Sequence, residues 1–544
     1  MEHSPEETKI TIDGKPVPFE PGDTIIRAAW RQGIEIPHYC WHPGLSVAAN
    51  CRMCLVHIKS GRQMEMPILK WNAKKKAFLP ETKPKLQPAC QIEAQAGMEI
   101  DTAGPDVANA RASVQEFLLL NHPVDCPICD QAGECKLQDY WLDHQTSLKR
   151  KRTEPVHKPK GVRFGPTIVY DAERCIMCTR CIRVCEELVG DPVLDMRERG
   201  NRNEIVLAPG RQLDHRYTLM TEHVCPVGAL TSRDFRFKAR VWFLKASPTV
   251  CPGCATGCNA HADHDPRYGK VYRLRPRDNP QVNQHWMCDD GMMTYISAHE
   301  GRMYGGLIGR GDEREGCSPT ESIRQAAARF SAVESSRIAV VLSALRSSED
   351  NFAAVRFAET LGTSKLYVNA RPDWVGDDIL RSADQNPNRA GVTHAAGREI
   401  DRNLNDLMRD VAAKEIEAVL LLGSASTEFA QQLSALGELE AIVNLASNES
   451  AFTTVASVVI PTVSWLEDFG TFRNRDGLDQ QFRRAVPAPP GVQPAWKAIA
   501  TLAAEMGREL GFSNIKGLRA LLNESTSSVS AQSSDSAAAA GATV

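Results

Sequence analysis

Residues 174–187 read RCIMCTRCIRVCEE, with cysteines spaced C-x2-C-x2-C-x3-C. Steps this short bring thiolates onto one metal centre, and soft sulfur donors in such a run are the ligand set of a [4Fe–4S] cluster. Where two clusters share such runs, the fourth cysteine serves the other cluster. A second cluster would need another C-x2-C-x2-C run, and only a single Cys225-Pro226 follows. The count therefore supports one [4Fe–4S] cluster on Cys175, Cys178, Cys181 and Cys225. Cys185 is then spare, a buried apolar thiol.

Outward from this run, sixteen of the seventeen cysteines fall in the first 288 residues, in four groups, and the last 227 residues hold none. Four groups in a row suggest a wire of redox centres. The first group, Cys40, Cys51, Cys54 and Cys90, reads C-x10-C-x2-C-x35-C. Plant-type [2Fe–2S] proteins use C-x4-C-x2-C and a distant cysteine, so the first gap here is expanded. Structural zinc is the alternative, although zinc favours two compact pairs. Lys9 to Phe19 alternate around Asp13-Gly14, a hairpin signal. Asp23 to Gln32 have helical spacing and stop at Gly33; a small-residue loop (Ser46 to Asn50) and a strand (Leu55 to Ile58) follow. Hairpin, helix and cysteine loop in that order is the plan of a plant-type ferredoxin β-grasp fold, which favours [2Fe–2S].

The second group, Cys126, Cys129 and Cys135, has three cysteines where a closed site takes four ligands. His122, four positions earlier, can fold back onto the same centre; Cys185, Cys317 and His144 are its rivals. The fourth group, Cys251, Cys254, Cys258 and Cys288, reads C-x2-C-x3-C-x29-C and is the most ambiguous, with zinc as the alternative to a third [4Fe–4S] cluster.

At 544 residues the chain has room for three or four domains. A net charge of -3 excludes a strong pull toward nucleic acid or anionic lipid, and 24% charged residues is ordinary for a globular protein. No run of about 18 apolar residues predicts a membrane-spanning helix. The acidic start, MEHSPEETKI, argues against a secretory signal, and clustered cysteines in such a chain read as redox or metal ligands, not disulfides. Ala108 to Leu120 is expected to be a helix with Val107, Ala110, Val114, Phe117 and Leu118 on one face. Residues 147–166, basic and proline-bearing, read as a linker; without interleaved aromatic platforms they do not suggest nucleic-acid binding. Beyond Gly301, apolar runs (Ile338 to Leu342, Lys365 to Val368, Ala418 to Leu422, Ile442 to Leu445, Ala456 to Ile460) alternate with helical stretches (Ile323 to Val333, Asn351 to Leu361), the pattern of an α/β domain with a largely parallel sheet. From Ser525 the sequence is low-complexity and expected to be disordered.

FLLLNHPVDCPICDQAGECKLQDY (117–140), NCRMCLV (50–56), CIMCTRCIRVCEE (175–187) and CPVGAL (225–230) closely resemble the large iron–sulfur subunit of respiratory complex I, the NADH:quinone oxidoreductase, known as the G-type subunit in bacteria and the 75 kDa subunit in mitochondria. The resemblance is specific over residues 8–300. It is weaker at SVVIPTVSWLEDFGTFRNRDG (457–477), which looks like the molybdopterin-oxidoreductase fold. It implies that His122 ligates a [4Fe–4S] cluster with Cys126, Cys129 and Cys135, that Cys225 completes the third site, and that the Cys251 cluster is an extra centre off the main electron route. One [2Fe–2S] and three [4Fe–4S] clusters follow.

The implied architecture is multidomain, α+β then α/β. Its parts are a [2Fe–2S] β-grasp domain (1–100), a helical [4Fe–4S] module with one histidine and three cysteine ligands (101–146), a ferredoxin-like [4Fe–4S] module (147–245), a molybdopterin-oxidoreductase-type [4Fe–4S] domain (246–303), a shortened, degenerate molybdopterin-oxidoreductase-like α/β domain (304–524) and a tail (525–544). Active molybdopterin enzymes devote several hundred more residues to their cofactors and place a lysine shortly after the fourth cluster cysteine. Here Cys288-Asp-Asp-Gly291 stands, so no molybdenum cofactor is expected.

The resemblance implies electron transfer from a partner subunit that carries FMN and oxidises NADH, by way of the [2Fe–2S], Cys175 and His122 clusters, to neighbouring subunits and quinone in a proton-translocating complex. No catalytic side chain is implied, and no strand–GxGxxG–helix unit for either nucleotide is visible. The expected location is peripheral, on the cytoplasmic side of the bacterial inner membrane, with membrane contact only through partners. The alternatives are a subunit of an NAD-linked formate dehydrogenase or hydrogenase, or a non-catalytic zinc scaffold.

Overall fold

The computed structural model describes residues 8–144, 150, 154–425 and 432–524. Residues 1–7 of the acidic start, six residues of the expected linker (147–149 and 151–153) and the low-complexity tail lie outside the described residues. The chain forms two compact units, Met1–Trp242 and Phe243–Val544.

The first unit begins with strands β1 (Lys9–Ile12) and β2 (Lys15–Pro18), paired antiparallel around Asp13-Gly14. Both turn residues have positive φ (49° and 79°), as a two-residue hairpin matched to strand twist requires. Helix α1 (Ile25–Arg31) buries Ile25, Ile26, Ala28 and Ala29, and the chain leaves it through Gly33 at φ 69°. Strands β3 (Leu55–Ser60), β4 (Glu65–Asn72), β5 (Ala77–Pro84), β6 (Gln87–Pro88) and β7 (Glu99–Asp101) follow. One mixed sheet has the order β2-β1-β7-β3-β6, and β4 and β5 form a separate ribbon. Ile10, Ile12, Val56, Ile58 and Ile100 form a core with α1 that includes Cys54 and Cys90. Each buried aliphatic side chain there stabilises by about 1.5–3 kcal/mol.

Helix α2 (Pro105–Leu119) starts three residues before the expected point, with Pro105 in its first turn. Its buried face corrects the sequence expectation. Val107, Arg111 and Gln115 point inward, whereas Phe117 is 75% exposed and Val114 and Leu118 are only half-buried. A hydrogen bond decides this: Gln115 Nε2 donates to the buried Tyr39 hydroxyl at 2.5 Å. Helix α3 (Lys136–His144) packs beside α2. Strands β8 (Val162–Arg163), β9 (Ile168–Tyr170) and, later, β12 (Leu230–Ser232) form a small antiparallel sheet. Between β9 and β12 lie α4 (Arg180–Arg183), a π-helical turn (Val184–Val189), the hairpin β10 (Leu194–Arg197) and β11 (Glu204–Leu207), and α5 (Thr218–His223).

The second unit opens with an antiparallel sheet of β13 (Lys245–Val250), β14 (Asn259–Asp265) and β15 (Lys270–Pro276), then short helices α6 (Asp289–Met292) and α7 (Tyr295–His299). After β16 (Gly306–Ile308), β17 (Glu315–Cys317) and α8 (Pro319–Ser331) come β18 (Ile338–Ser343), α9 (Ser348–Leu361), β19 (Leu366–Asn369), α10 (Arg389–Ala396), α11 (Leu404–Ala412), β20 (Ala418–Leu422), β21 (Ala441–Ala446), α12 (Ala451–Val455) and β22 (Val458–Pro461). The hairpin β23 (Gly470–Arg473) and β24 (Asp479–Phe482) and helix α13 (Ala495–Glu505) complete it. One sheet has the order β17-β16-β22-β21-β20-β18-β19, parallel from β22 to β19 with an antiparallel edge. Strands β18, β20, β21 and β22 are buried along their whole length, because helices cover both faces. Leu342, Phe357 and Ile499 belong to the core on one face; Val341, Leu407 and Phe452 belong to the core on the other.

Candidate metal centres

After β9, the 174–187 run turns through two left-handed residues, Met177 (φ 55°) and Thr179 (φ 61°), before entering α4. Such turns aim successive backbone N–H groups into a concavity that suits an anionic centre. That of Met177 reaches Cys175 Sγ at 3.4 Å. Cys175, Cys178, Cys181 and Cys225 line one small cavity, closed by Tyr170, Ile205 and Leu230. Burial pushes Cys175 up to about 11 and raises the other three above the ordinary thiol range. Thiols that desolvation and one another's charge keep from ionising are a donor set completed by cationic iron. Cys185 is fully buried in the π-helical turn with its sulfur 3.5 Å from His215 Nε2, outside that lining.

In the first group Cys40, Cys54 and Cys90 are buried and Cys51 half-buried. Cys51 lies beside Cys40, and Cys90 beside Cys54. Ala49 (φ 49°) and Arg52 (φ 60°) are left-handed, and the N–H groups of Asn50 and Cys51 point at Cys40. The Cys51 thiol, these amides and the Arg183 charge hold Cys40 down to about 5, while the Cys40 and Cys90 thiols, with burial, push Cys51 and Cys54 up.

Two buried arginines of α4 tie this loop to the third group. Arg183 donates to the carbonyl oxygens of Cys40 (2.6 Å), Ser46 (2.5 Å) and Cys178 (3.2 Å). Arg180 donates to those of Trp41 and Val224. Sequence reasoning assigned neither arginine a role. The available signal was two arginines three residues apart inside a cysteine run, a spacing that puts both on one side of a helix.

In the second group Cys129 and Cys135 are buried and Cys126 half-buried. Burial, with the charges of Cys129 and Cys126, pushes Cys135 up to about 11. A Cβ on Gly228 would stand 2.5 Å from Cys129 Sγ, so only glycine lets the Cys225 loop pass this close. Lys136 N–H donates to the Pro226 carbonyl at 2.9 Å, which brings the second and third groups side by side. His122 is half-buried just beyond α2. Of its rivals, Cys185 is committed to His215, His144 stacks at an angle on Tyr140 (5.9 Å), and Cys317 lies at the end of β17 beside the Ser322 N–H.

In the fourth group all four cysteines are buried. Cys251 and Cys258 close the β13–β14 hairpin, with Cys251 N–H on the Cys258 carbonyl at 2.8 Å. Cys288 caps α6 and accepts from Gly291 N–H at 3.4 Å, as Cys251 Sγ does from Gly253 N–H at 3.3 Å. A Cβ on Gly291 would come 3.1 Å from Cys251 Sγ and 3.4 Å from Cys288 Sγ. Burial pushes Cys288 up to about 12 and holds Cys251 and Cys258 well above the usual thiol range. Among the described residues no three His, Cys, Asp or Glu side chains converge tightly enough for a single metal ion.

Five family models match in sequence order: a 2Fe-2S iron-sulfur cluster binding domain (6–105), the NADH-ubiquinone oxidoreductase-G iron-sulfur binding region (111–148), the ferredoxin-like domain of NADH-quinone oxidoreductase subunit 3 (165–231), the molybdopterin oxidoreductase Fe4S4 domain (244–299) and molybdopterin oxidoreductase (306–505). The G-type subunit of the NADH-quinone oxidoreductase of Mycobacterium bovis is 34% identical over 375 residues, 68% of this chain and 44% of that protein. That of Streptomyces coelicolor is 31% identical over 510 residues, 92% of this chain and 54% of that protein. The mitochondrial NADH-ubiquinone oxidoreductase 78 kDa subunit of Candida albicans is 32% identical over 370 residues, 67% and 48% of the two chains. The chain thus spans about half the length of these relatives. Its ordered iron–sulfur domains and shared sequence make it a member of the family of G-type subunits of NADH-quinone oxidoreductase.

Proposed function

We propose that this chain is the iron–sulfur electron carrier of an NADH-quinone oxidoreductase, relaying electrons from a flavin-bearing, NADH-oxidising partner toward quinone in a proton-translocating complex. The observation that carries the reading is the cavity lined by Cys175, Cys178, Cys181 and Cys225, joined to the Cys40 loop through Arg183. The proposed ligand sets are Cys40, Cys51, Cys54 and Cys90 for a [2Fe–2S] cluster, and three [4Fe–4S] sets: His122, Cys126, Cys129 and Cys135; Cys175, Cys178, Cys181 and Cys225; Cys251, Cys254, Cys258 and Cys288. Bound clusters would supply one-electron transfer without acid, base or nucleophile.

The protein's part is positional. Buried thiols exclude water, left-handed turns direct amides at sulfur, and Arg183 fixes two ligand loops in one register. The six-part division described above, including a β-grasp first domain and a C-terminal α/β domain without a molybdenum cofactor, belongs to the same reading. So do attachment to the other peripheral-arm subunits and a place on the cytoplasmic face of the inner membrane. Among the described residues no helix is long and apolar enough to cross a membrane.

Iron and acid-labile sulfide analysis of the reconstituted chain tests it. About 14 iron atoms per chain are expected, with no molybdenum, and mostly zinc would reject it. Low-temperature paramagnetic resonance of His122→Cys and Cys288→Ser should alter one [4Fe–4S] signal each and leave the others. Molybdenum in the purified chain would favour the formate dehydrogenase alternative.

A further inference from the structure

Strands β4 and β5 pair along eight residues each, from Glu65↔Pro84 to Asn72↔Ala77, and with no other strand among those described. The ribbon is inserted between β3 and β6, so it occupies most of the long gap between Cys54 and Cys90. Its root is pinned by Lys85 N–H on the Met64 carbonyl (2.7 Å) and Gln87 Nε2 on the Arg62 carbonyl (2.8 Å). Its tip is ordered by Asn72 Oδ1, which accepts from the N–H groups of Lys74 and Lys75.

Strand alternation sorts the side chains into two faces. One face carries Lys70 paired with Glu81 at 3.1 Å. Past Glu65 and Pro84 at the root, the other carries Pro67, Leu69, Trp71, Phe78, Pro80 and Thr82, all uncharged and all exposed, with Leu69 at 68%, Trp71 at 54% and Phe78 at 63%. Trp71 and Phe78 meet edge to face at 5.2 Å. Residues 61–86 carry seven basic and two acidic side chains, against a net charge of -3 for the chain.

We propose that this apolar face is a docking arm for another protein subunit of the same assembly, one presenting an apolar strip bordered by carboxylates. The inference rests on the functional reading above, which supplies an assembly to dock into. An isolated two-stranded ribbon is marginal in water, and one with an exposed aromatic face gains order by being covered. The face is roughly 26 Å long and about 10 Å wide, well short of the ~800 Å² a side that a free-standing complex buries. It therefore suits a neighbour already held by other contacts, and the basic cluster Lys74–Lys76 selects acidic partners.

The test uses the full chain in its purified NADH-oxidising assembly, with Trp71→benzoylphenylalanine and, on the opposite face, Lys83→benzoylphenylalanine. Both positions are exposed, and unchanged iron content certifies the fold. Photolysis should join position 71 to a different subunit with a yield about tenfold above position 83, in a peptide rich in Asp and Glu. Changing Lys74, Lys75 and Lys76 to Glu should cut that yield severalfold. Attachment to lipid, attachment to a second copy of this chain, equal yields from both faces, or no adduct in an intact assembly overturns the docking inference alone. A chain that enters no NADH-oxidising assembly overturns it together with the functional reading.

Discussion

Asp468 shows how much one residue's surroundings add to its sequence. Its side chain is more than nine-tenths buried, Phe469 N–H donates to its Oδ1 at 2.7 Å, and burial with the Asp350 charge pushes its carboxyl up to about 7. An unfolded carboxyl titrates near 3.9, so between those values the native state holds the extra proton. Its contribution is complete below the unfolded value and is lost as pH rises through the folded one. The melting temperature of the full chain should therefore fall from about pH 4 to about pH 7, and Asp468→Asn should flatten that slope with a gain of order 1–3 kcal/mol at the upper end. An unchanged slope in the variant would locate the titration elsewhere. At Arg183 the expectation is spectroscopic: Arg183→Lys loses the planar fork that serves three carbonyls, so the [2Fe–2S] and Cys175-group resonances should both shift while iron content stays constant.

At the scale of elements, α2 shows where periodicity misleads. Apolar residues at helical spacing suggested a face through Val114, Phe117 and Leu118, but the helix turns Gln115 and Arg111 inward. A buried polar bond to Tyr39 outweighs the exposure of Phe117, because an unsatisfied buried amide costs more than one exposed ring. Gln115→Ala should destabilise by about 1–3 kcal/mol in chemical denaturation, and Phe117→Ser should be near neutral in the isolated chain. The loop after Cys225 makes a sharper prediction. Gly228→Ala forces a methyl group onto Cys129 Sγ, so about four of the expected irons should be lost and only the His122-group resonance should vanish. By contrast, the first hairpin, α1 and the five predicted strands of the C-terminal sheet were legible, because their signals are local: Asp-Gly at a turn, and short, mostly apolar runs where both faces are covered.

At the scale of the whole molecule, the two units differ in what holds them. The unit from Phe243 onward has a seven-stranded sheet with cores on both faces and one cysteine group, whereas Met1–Trp242 carries three groups within smaller sheets. Calorimetry should resolve two transitions, and removing iron should lower the transition of the first unit much more than that of the second. A single transition, or equal shifts, would contradict this. By itself, the sequence determined the cysteine grouping and the parallel C-terminal sheet, because ligand spacing and strand periodicity are properties of neighbours along the chain. Only the tertiary structure decided that the spare Cys185 turns to His215, and that Arg183 binds two ligand loops. Those choices depend on which distant segments the packed core brings within hydrogen-bonding reach.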